Sequence, residues 1–277
     1  QVVLLKGGYG AGKTRLCHEL FQNSSAGVLA PDIGKRVVRR SLEDVTHSSA
    51  HIQGSNIAFK LFDDLIQKDG TVVYDSSLSR PSDVTNYLAK SKAAQKKMVI
   101  HDVARLDIAR ILSVLKRTVN GDDPRISPEF IINSTVMDKM NRVKCMDVIL
   151  NDKTIGNTKP EYHFYSGDAE GWNNEKIMVL KSNSELDVIS PAAEERLRLE
   201  GIQLDGNSLK LNLDEDHLKA FLNWEFEKPV KVLMEQLSAD ERSALEDVFS
   251  KRVFPISGDV EDAESLYRSF PAPLQNA

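Results

Sequence analysis

The chain has 277 residues, of which 41% are hydrophobic and 28% charged, with a net charge of −5. The length supports one good core plus a second, smaller unit, and the acidic balance argues against a broad electrostatic grip on DNA or RNA. Two cysteines far apart, Cys17 and Cys145, exclude a disulfide framework or a Cys-x-x-Cys metal knuckle, and no stretch has the apolar length needed to cross a bilayer.

The chain starts at Gln1 inside a strand-like run, with neither initiator Met nor signal pattern, so residues are expected to precede it. Four short runs rich in Val and Ile read as buried strands: VVLL (2–5), GVLA (27–30), TVVYD (71–75) and MVIHDV (98–103). Helical stripes lie between and after them. Leu16 and Leu20 adjoin Cys17 and Phe21; Ile57, Leu61 and Leu65 adjoin Phe62. A helix starts near Pro81 with Val84 and Leu88 facing in, another is marked by Ile108, Leu112 and Leu115, and SPEFIINSTVMDKM starts a fifth with Pro128 in its first turn. After about Lys144 the texture changes. MDVIL (146–150), EYHFY (161–165) and IMVLK (177–181) read as strands. Helices follow at SPAAEERLRL, at DEDHLKAFLNWEF and at SADERSALEDVFSKR, which carries a capping box from Ser238 to Glu241; PAPLQNA reads as a frayed tail. The expected fold class is α/β, a mainly parallel sheet flanked by helices, with a mixed and helical C-terminal extension. The expected division is a core at 1–150 and an extension at 151–277.

Directly after the first strand stands Gly7-Gly8-Tyr9-Gly10-Ala11-Gly12-Lys13-Thr14, which fits the phosphate-cradling P-loop pattern GxxxxGK[ST]. Glycine is costly to order, so such a cluster has a mechanical reason. Gly8, Gly10, Ala11 and Gly12 let successive N–H groups point into one concavity, and the helix starting at Lys13 aims its positive dipole end there. Lys13 reaches the β- and γ-phosphates of ATP (or GTP), and the Thr14 hydroxyl ligates Mg²⁺. No NKxD-like base reader of a GTPase follows. TVVYD ends in Asp75-Ser76-Ser77, without the acidic pair of a motor ATPase. Arginines past the fourth strand suit a lid closing over a transferring phosphate.

Over residues 2–148 the sequence resembles the zeta toxin family of P-loop kinases, relatives of polynucleotide kinase and chloramphenicol phosphotransferase. Four stretches carry the resemblance: the P-loop, Ala30-Pro31-Asp32-Ile33-Gly34-Lys35, VVYDSSLSR, and SVLKR followed by DDPRISPE. It implies a P-loop kinase core in which Asp32 is the general base and Arg117 and Arg125 hold the phosphates. The segment between the two arginines is short for the family. Pro31 and Gly34 depart from the common form of the second-strand motif, so the acceptor pocket is expected to differ. The acceptor implied is nucleotide-like. Zeta toxins act on the 3′-hydroxyl of the amino sugar in UDP-N-acetylglucosamine, whereas zeta-like effectors of plant-pathogenic bacteria phosphorylate a ribose hydroxyl of NAD. A neutralising antitoxin or chaperone is implied as partner, with the enzyme in the cytoplasm or delivered into a host cell.

The residues themselves leave alternatives. Asp32 suits a base at the carboxyl edge of the sheet, the favoured reading, and its position also permits a helix N-cap. Asp75 can hold Mg²⁺ through water, orient the acceptor together with Ser77, or cap the next helix; Ser77 also suits a turn. Arg117 and Arg125 suit planar phosphate recognition or a solvated helix face, and Arg105 and Arg110 are further lid candidates. Lys35, Arg36, Arg39 and Arg40 can meet a phosphorylated acceptor or form a charged helix face. His101, within an apolar strand, reads as buried and hydrogen-bonded. The expected function is phosphate transfer from ATP or GTP to a hydroxyl of UDP-N-acetylglucosamine or NAD. Two other readings are a polynucleotide kinase, which the acidic charge opposes, and a non-catalytic nucleotide switch.

Overall fold

The computed structural model describes residues 1–41, 47–107, 109–111, 113–114, 128–167, 174–206, 208–216, 218–219, 222, 235–240 and 242–243. Arg117 and Arg125 lie outside the described residues, as do Ile108, Leu112 and Leu115, most of the last two expected helices and the tail. The chain divides into two compact units. One comprises Gln1–Gly7, Gly12–Val103 and Lys144–Ala193, the other Gly8–Ala11, Ala104–Val143 and Glu194–Ala277.

The first unit is built on a seven-stranded sheet of order β2-β3-β1-β4-β5-β6-β7. Strands β1 (Val2–Lys6), β2 (Gly27–Leu29), β3 (Val72–Asp75) and β4 (Met98–Ala104) are parallel, with β1 paired to β3 and β4 and β3 paired to β2. Strands β5 (Glu161–Ser166), β6 (Glu175–Lys181) and β7 (Glu185–Val188) continue the sheet beyond β4 as an antiparallel meander. Each residue of β1 and β4 is buried, as strands covered on both faces require. Edge strand β2 has three residues, two of them exposed, too short a run to template pairing with another chain.

Helices α1 (Lys13–Phe21), α2 (Pro31–Ser41), α3 (His47–Ile66) and α4 (Pro81–Ala93) alternate with these strands. On one face, Val3, Leu5 and Val73 pack with Cys17 of α1, and Phe21 closes the cluster. The next residue of β3, Tyr74, points the other way. Its ring lies 5.5 Å from Phe62 of α3 and 5.6 Å from Tyr87 of α4. Period-two alternation along one strand thus anchors helices on both faces.

Helix α5 (Pro128–Leu150) contributes residues to both units. It corrects one expectation: MDVIL, read as a strand, is its last turn. Cys145, Met146, Ile149 and Leu150 are all buried, a helical i, i+1, i+4, i+5 spacing that an isolated apolar run of five residues does not reveal. The second unit also holds most of α6 (Ala192–Leu199) and the hairpin of β8 (Ile202–Asp205) and β9 (Ser208–Leu211). The sequence reading missed β7, β8 and β9, which have four residues each and much polar content.

Candidate active site

Parallel pairing brings the carboxyl ends of β2, β3 and β1 to one edge. Leu29 and Leu4 both stand opposite Tyr74, and Leu5 opposite Asp75. The P-loop therefore leaves β1, α2 leaves β2, and Asp75 ends β3, all at that edge. β1 lies between β3 and β4, where the strand order reverses, and open α/β sheets bind ligands in the crevice at such a point.

The loop after β1 needs its glycines. Gly10 and Gly12 have φ of 73° and 101°, left-handed values that an L side chain strains to adopt. Gly12 is the N-cap of α1, so the helix begins at Lys13 with its first-turn N–H groups toward the loop. Lys13 Nζ donates to the Gly7 carbonyl at 2.8 Å. Thr14 Oγ1 donates to Asp75 Oδ2 at 3.4 Å, which brings a hydroxyl and a carboxylate to one point. Burial pushes the Asp75 carboxyl above the usual carboxylate range. Lys13 and the Thr14 hydrogen bond oppose this rise, and the charge of Asp32 reinforces it. Lys13, Thr14 and Asp32 thus all bear on Asp75 within the first unit.

Asp32 is the second residue of α2 and is exposed. The N–H groups of Ile33 and Gly34 bond back to the Ala30 carbonyl at 3.0 and 3.4 Å, so Ala30 occupies the cap position and Asp32 lies inside the first turn. A carboxylate there favours the helix dipole and stays open to solvent. Lys35 is half-buried one turn further on, whereas Arg36, Arg39 and Arg40 are exposed. The Ser77 side chain is exposed too, and its carbonyl accepts the Gly7 N–H at 3.5 Å.

Gly8 and Ala11 are buried, and the Ala11 N–H donates to the Gly8 carbonyl at 3.2 Å. Arg110, a lid candidate from sequence, is 1% exposed and is no solvent-facing lid residue. Its Nε donates to the Tyr9 carbonyl at 3.1 Å. Sequence reasoning missed Asp138, whose Oδ2 accepts the Gly8 N–H at 3.1 Å. The available signal was Asp138 and Arg142 at i, i+4 spacing, an opposite-charge pair on one helical face.

The donor set fits Mg²⁺, a hard cation that takes one or two protein oxygens and fills its shell with water and phosphate oxygens. Thr14 and Asp75 supply such oxygens. Among the described residues, no group of three or more His, Cys, Asp or Glu could hold a metal by itself. No helix of the described residues is long and apolar enough to cross a membrane.

A comparison with curated protein sequences returned no match. Among solved structures, the chain is similar to AvrRxo1-ORF1 in complex with AvrRxo1-ORF2, crystallised with sulphate ions, at a TM-score of 0.58 and 18% identity over 90% of this chain and 76% of that one. The same complex with ATP gives 0.58 and 18% over 95% and 80%. The chromosomal PezAT toxin–antitoxin system of Streptococcus pneumoniae gives 0.50 and 15% over 83% and 86%. At these identities the likeness concerns the fold. The zeta toxin family model matches residues 1–169, more than half of the sequence. With its P-loop kinase-like sheet, this chain belongs to the zeta toxin family.

Proposed function

We propose that this protein is an ATP- or GTP-dependent phosphotransferase that phosphorylates an alcohol group of a nucleotide-like small molecule, UDP-N-acetylglucosamine or NAD. The carrying observation is the convergence of Lys13, Thr14 and Asp32 on Asp75 at the carboxyl edge of three adjacent parallel strands. Loop amides and the α1 N-terminus face the donor phosphates, and Lys13 neutralises charge on the β- and γ-phosphates. Thr14 and Asp75 are the residues that would hold Mg²⁺, which supplies charge neutralisation across the phosphates. Asp32 accepts the hydrogen bond of the acceptor hydroxyl and takes its proton as the new P–O bond forms and the γ-phosphorus–bridging-oxygen bond breaks. Exposure of Asp32 leaves room for a substrate hydroxyl to reach it. Arg117 and Arg125 complete the phosphate clamp in this reading.

Family membership supports a kinase-type toxin, and PezAT is a toxin–antitoxin system. We accordingly propose a neutralising antitoxin or chaperone as partner. The test is transfer of labelled γ-phosphate from ATP or GTP with Mg²⁺ to UDP-N-acetylglucosamine and, in parallel, to NAD. Transfer to one of them at a ribose or amino-sugar hydroxyl is expected. Binding of nucleotide with no transfer to either acceptor would overturn the acceptor class and favour a nucleotide switch.

A further inference from the structure

Beneath the tip of the P-loop, the second unit holds six buried charged side chains that close into a ring of alternating sign. Asp107 Oδ1 lies 3.6 Å from Arg110 Nη1, and Arg110 Nη1 lies 3.5 Å from Asp138 Oδ2. Asp138 Oδ2 accepts from Arg142 Nη2 at 2.9 Å, and Arg142 Nη1 donates to Glu200. Glu200 is 3.6 Å from Lys139 Nζ, which returns to Asp107 Oδ2 at 3.0 Å. None of the six side chains is more than 7% exposed. Burial alone would raise the Glu200 carboxyl, but Lys139, Arg142, Arg196 and Arg110 hold it below its ordinary value. Each acid is gripped from two sides, so the orientation of each carboxylate is set by its neighbours rather than by its own rotamer preference.

Two members of the ring reach out of it to the loop backbone. Asp138 accepts the Gly8 N–H, and Arg110 donates to the Tyr9 carbonyl. The fit leaves no space. A Cβ on Gly8 would stand 1.6 Å from Arg110 Nη2, and one on Gly10 would stand 2.5 Å from the Arg110 carbonyl oxygen. The first residues of the loop are therefore held by fixed charges.

We propose that Asp138 and Arg110 are positioning residues for nucleotide binding. They act through Gly8 and Tyr9 to pre-organise the P-loop before the triphosphate arrives. The inference rests on the reading of the loop as a nucleotide cradle. Pre-organised donors bind a charged tail more tightly because no reorganisation is needed on binding.

The test uses the whole chain and ATP as probe. Asp138→Asn keeps a carbonyl acceptor and removes the charge. It is expected to raise the Kd for ATP, and KM for ATP with it, about tenfold, the loss typical of one charge-assisted hydrogen bond. Lys139→Met breaks the same ring without touching the loop. It is expected to lower Tm at least as much while leaving the Kd for ATP within about twofold. In ATP-free wild type, the Gly8 amide is expected to exchange with solvent on the slow scale of core amides rather than of an open loop. That measurement needs no variant to fold. Fast Gly8 exchange, an unchanged Kd in a folded Asp138→Asn protein, or equal loss of affinity in Lys139→Met would each overturn the proposal. Failure of wild type to bind ATP would instead overturn the cradle reading and, with it, this role for Asp138.

Discussion

Gly34 of α2 and Gly54 of α3 meet backbone to backbone. A Cβ on Gly34 would stand 2.5 Å from the Gly54 carbonyl oxygen, and one on Gly54 would stand 2.3 Å from the Lys35 amide nitrogen. Glycine inside a helix costs about 1 kcal/mol relative to alanine, so two at one crossing have a reason. Here that reason is close approach. Gly34 follows Asp32 by two residues in the same helix, so the crossing helps to set where that carboxylate stands.

Gly34→Ala forces the two helices apart. Overpacking of this kind costs typically about 1–3 kcal/mol, read as a lower midpoint of urea unfolding. If the crossing positions Asp32, phosphate transfer at saturating ATP also falls while the Kd for ATP holds. A variant as stable and as active as wild type would show that α2 has slack at this contact.

Asp32→Asn removes the proposed proton acceptor from an exposed position, so Tm should stay within about 1 °C of wild type. Transfer is expected to fall by about 10²–10⁴-fold, the usual contribution of a positioned base, with ATP binding retained. Full transfer in this variant would remove Asp32 from the mechanism.

Asp75→Asn separates stability from metal binding. Burial raises the Asp75 carboxyl, so the folded state disfavours its ionised form. Such a group favours folding at low pH, and that contribution is lost as pH rises through its folded value. At neutral pH the charge is therefore a net cost. Asp75→Asn is expected to raise Tm in chelator by about 1–3 °C while weakening Mg²⁺·ATP binding. A lower Tm in chelator would mean that the Thr14 hydrogen bond outweighs desolvation.

Acid lability should come from the histidines on β4 and β5. Burial, helped by His163 and Lys176, pushes His101 down to about 3, against the opposing pull of Glu161. Its Nδ1 lies 2.9 Å from the Tyr165 hydroxyl. Burial lowers His163 as well. A base depressed in the folded state contributes stability that is complete above its unfolded value of 6.5 and is lost as pH falls from there toward 3. Each such group steepens the loss by up to ~1.4 kcal/mol per pH unit. His101→Asn should flatten the fall of Tm with acid below pH 6.5, and an unaltered slope would assign the lability elsewhere.

Much of the sheet could be read in advance because its strands are continuous apolar runs closed by turn residues. Val2 to Leu5, Thr71 to Asp75 and Met98 to Val103 all fall in or beside the observed strands. MDVIL could not be read correctly, because five apolar residues carry no period of their own; the helix that claims them starts far upstream at Pro128. Asp32 could be placed near the edge but not within its helical turn, since Pro31 and Ala30 serve a cap and a first turn equally well. Gly34 looked like a departure from a motif, and its partner Gly54, twenty residues away, supplies the physical cause.

The P-loop and its setting were determined by the sequence itself. Gly10 and Gly12 allow left-handed turns at fixed spacing, and an apolar strand and an amphipathic helix flank them; these are local properties of consecutive residues. Tertiary structure alone decided what stands behind the loop. Asp107, Arg110, Asp138, Lys139, Arg142 and Glu200 come from segments up to ninety-three positions apart. In sequence Arg110 reads as a lid candidate and the other five carry no reading of their own, because whether a charge is paired and buried depends on neighbours that only the folded chain brings within reach.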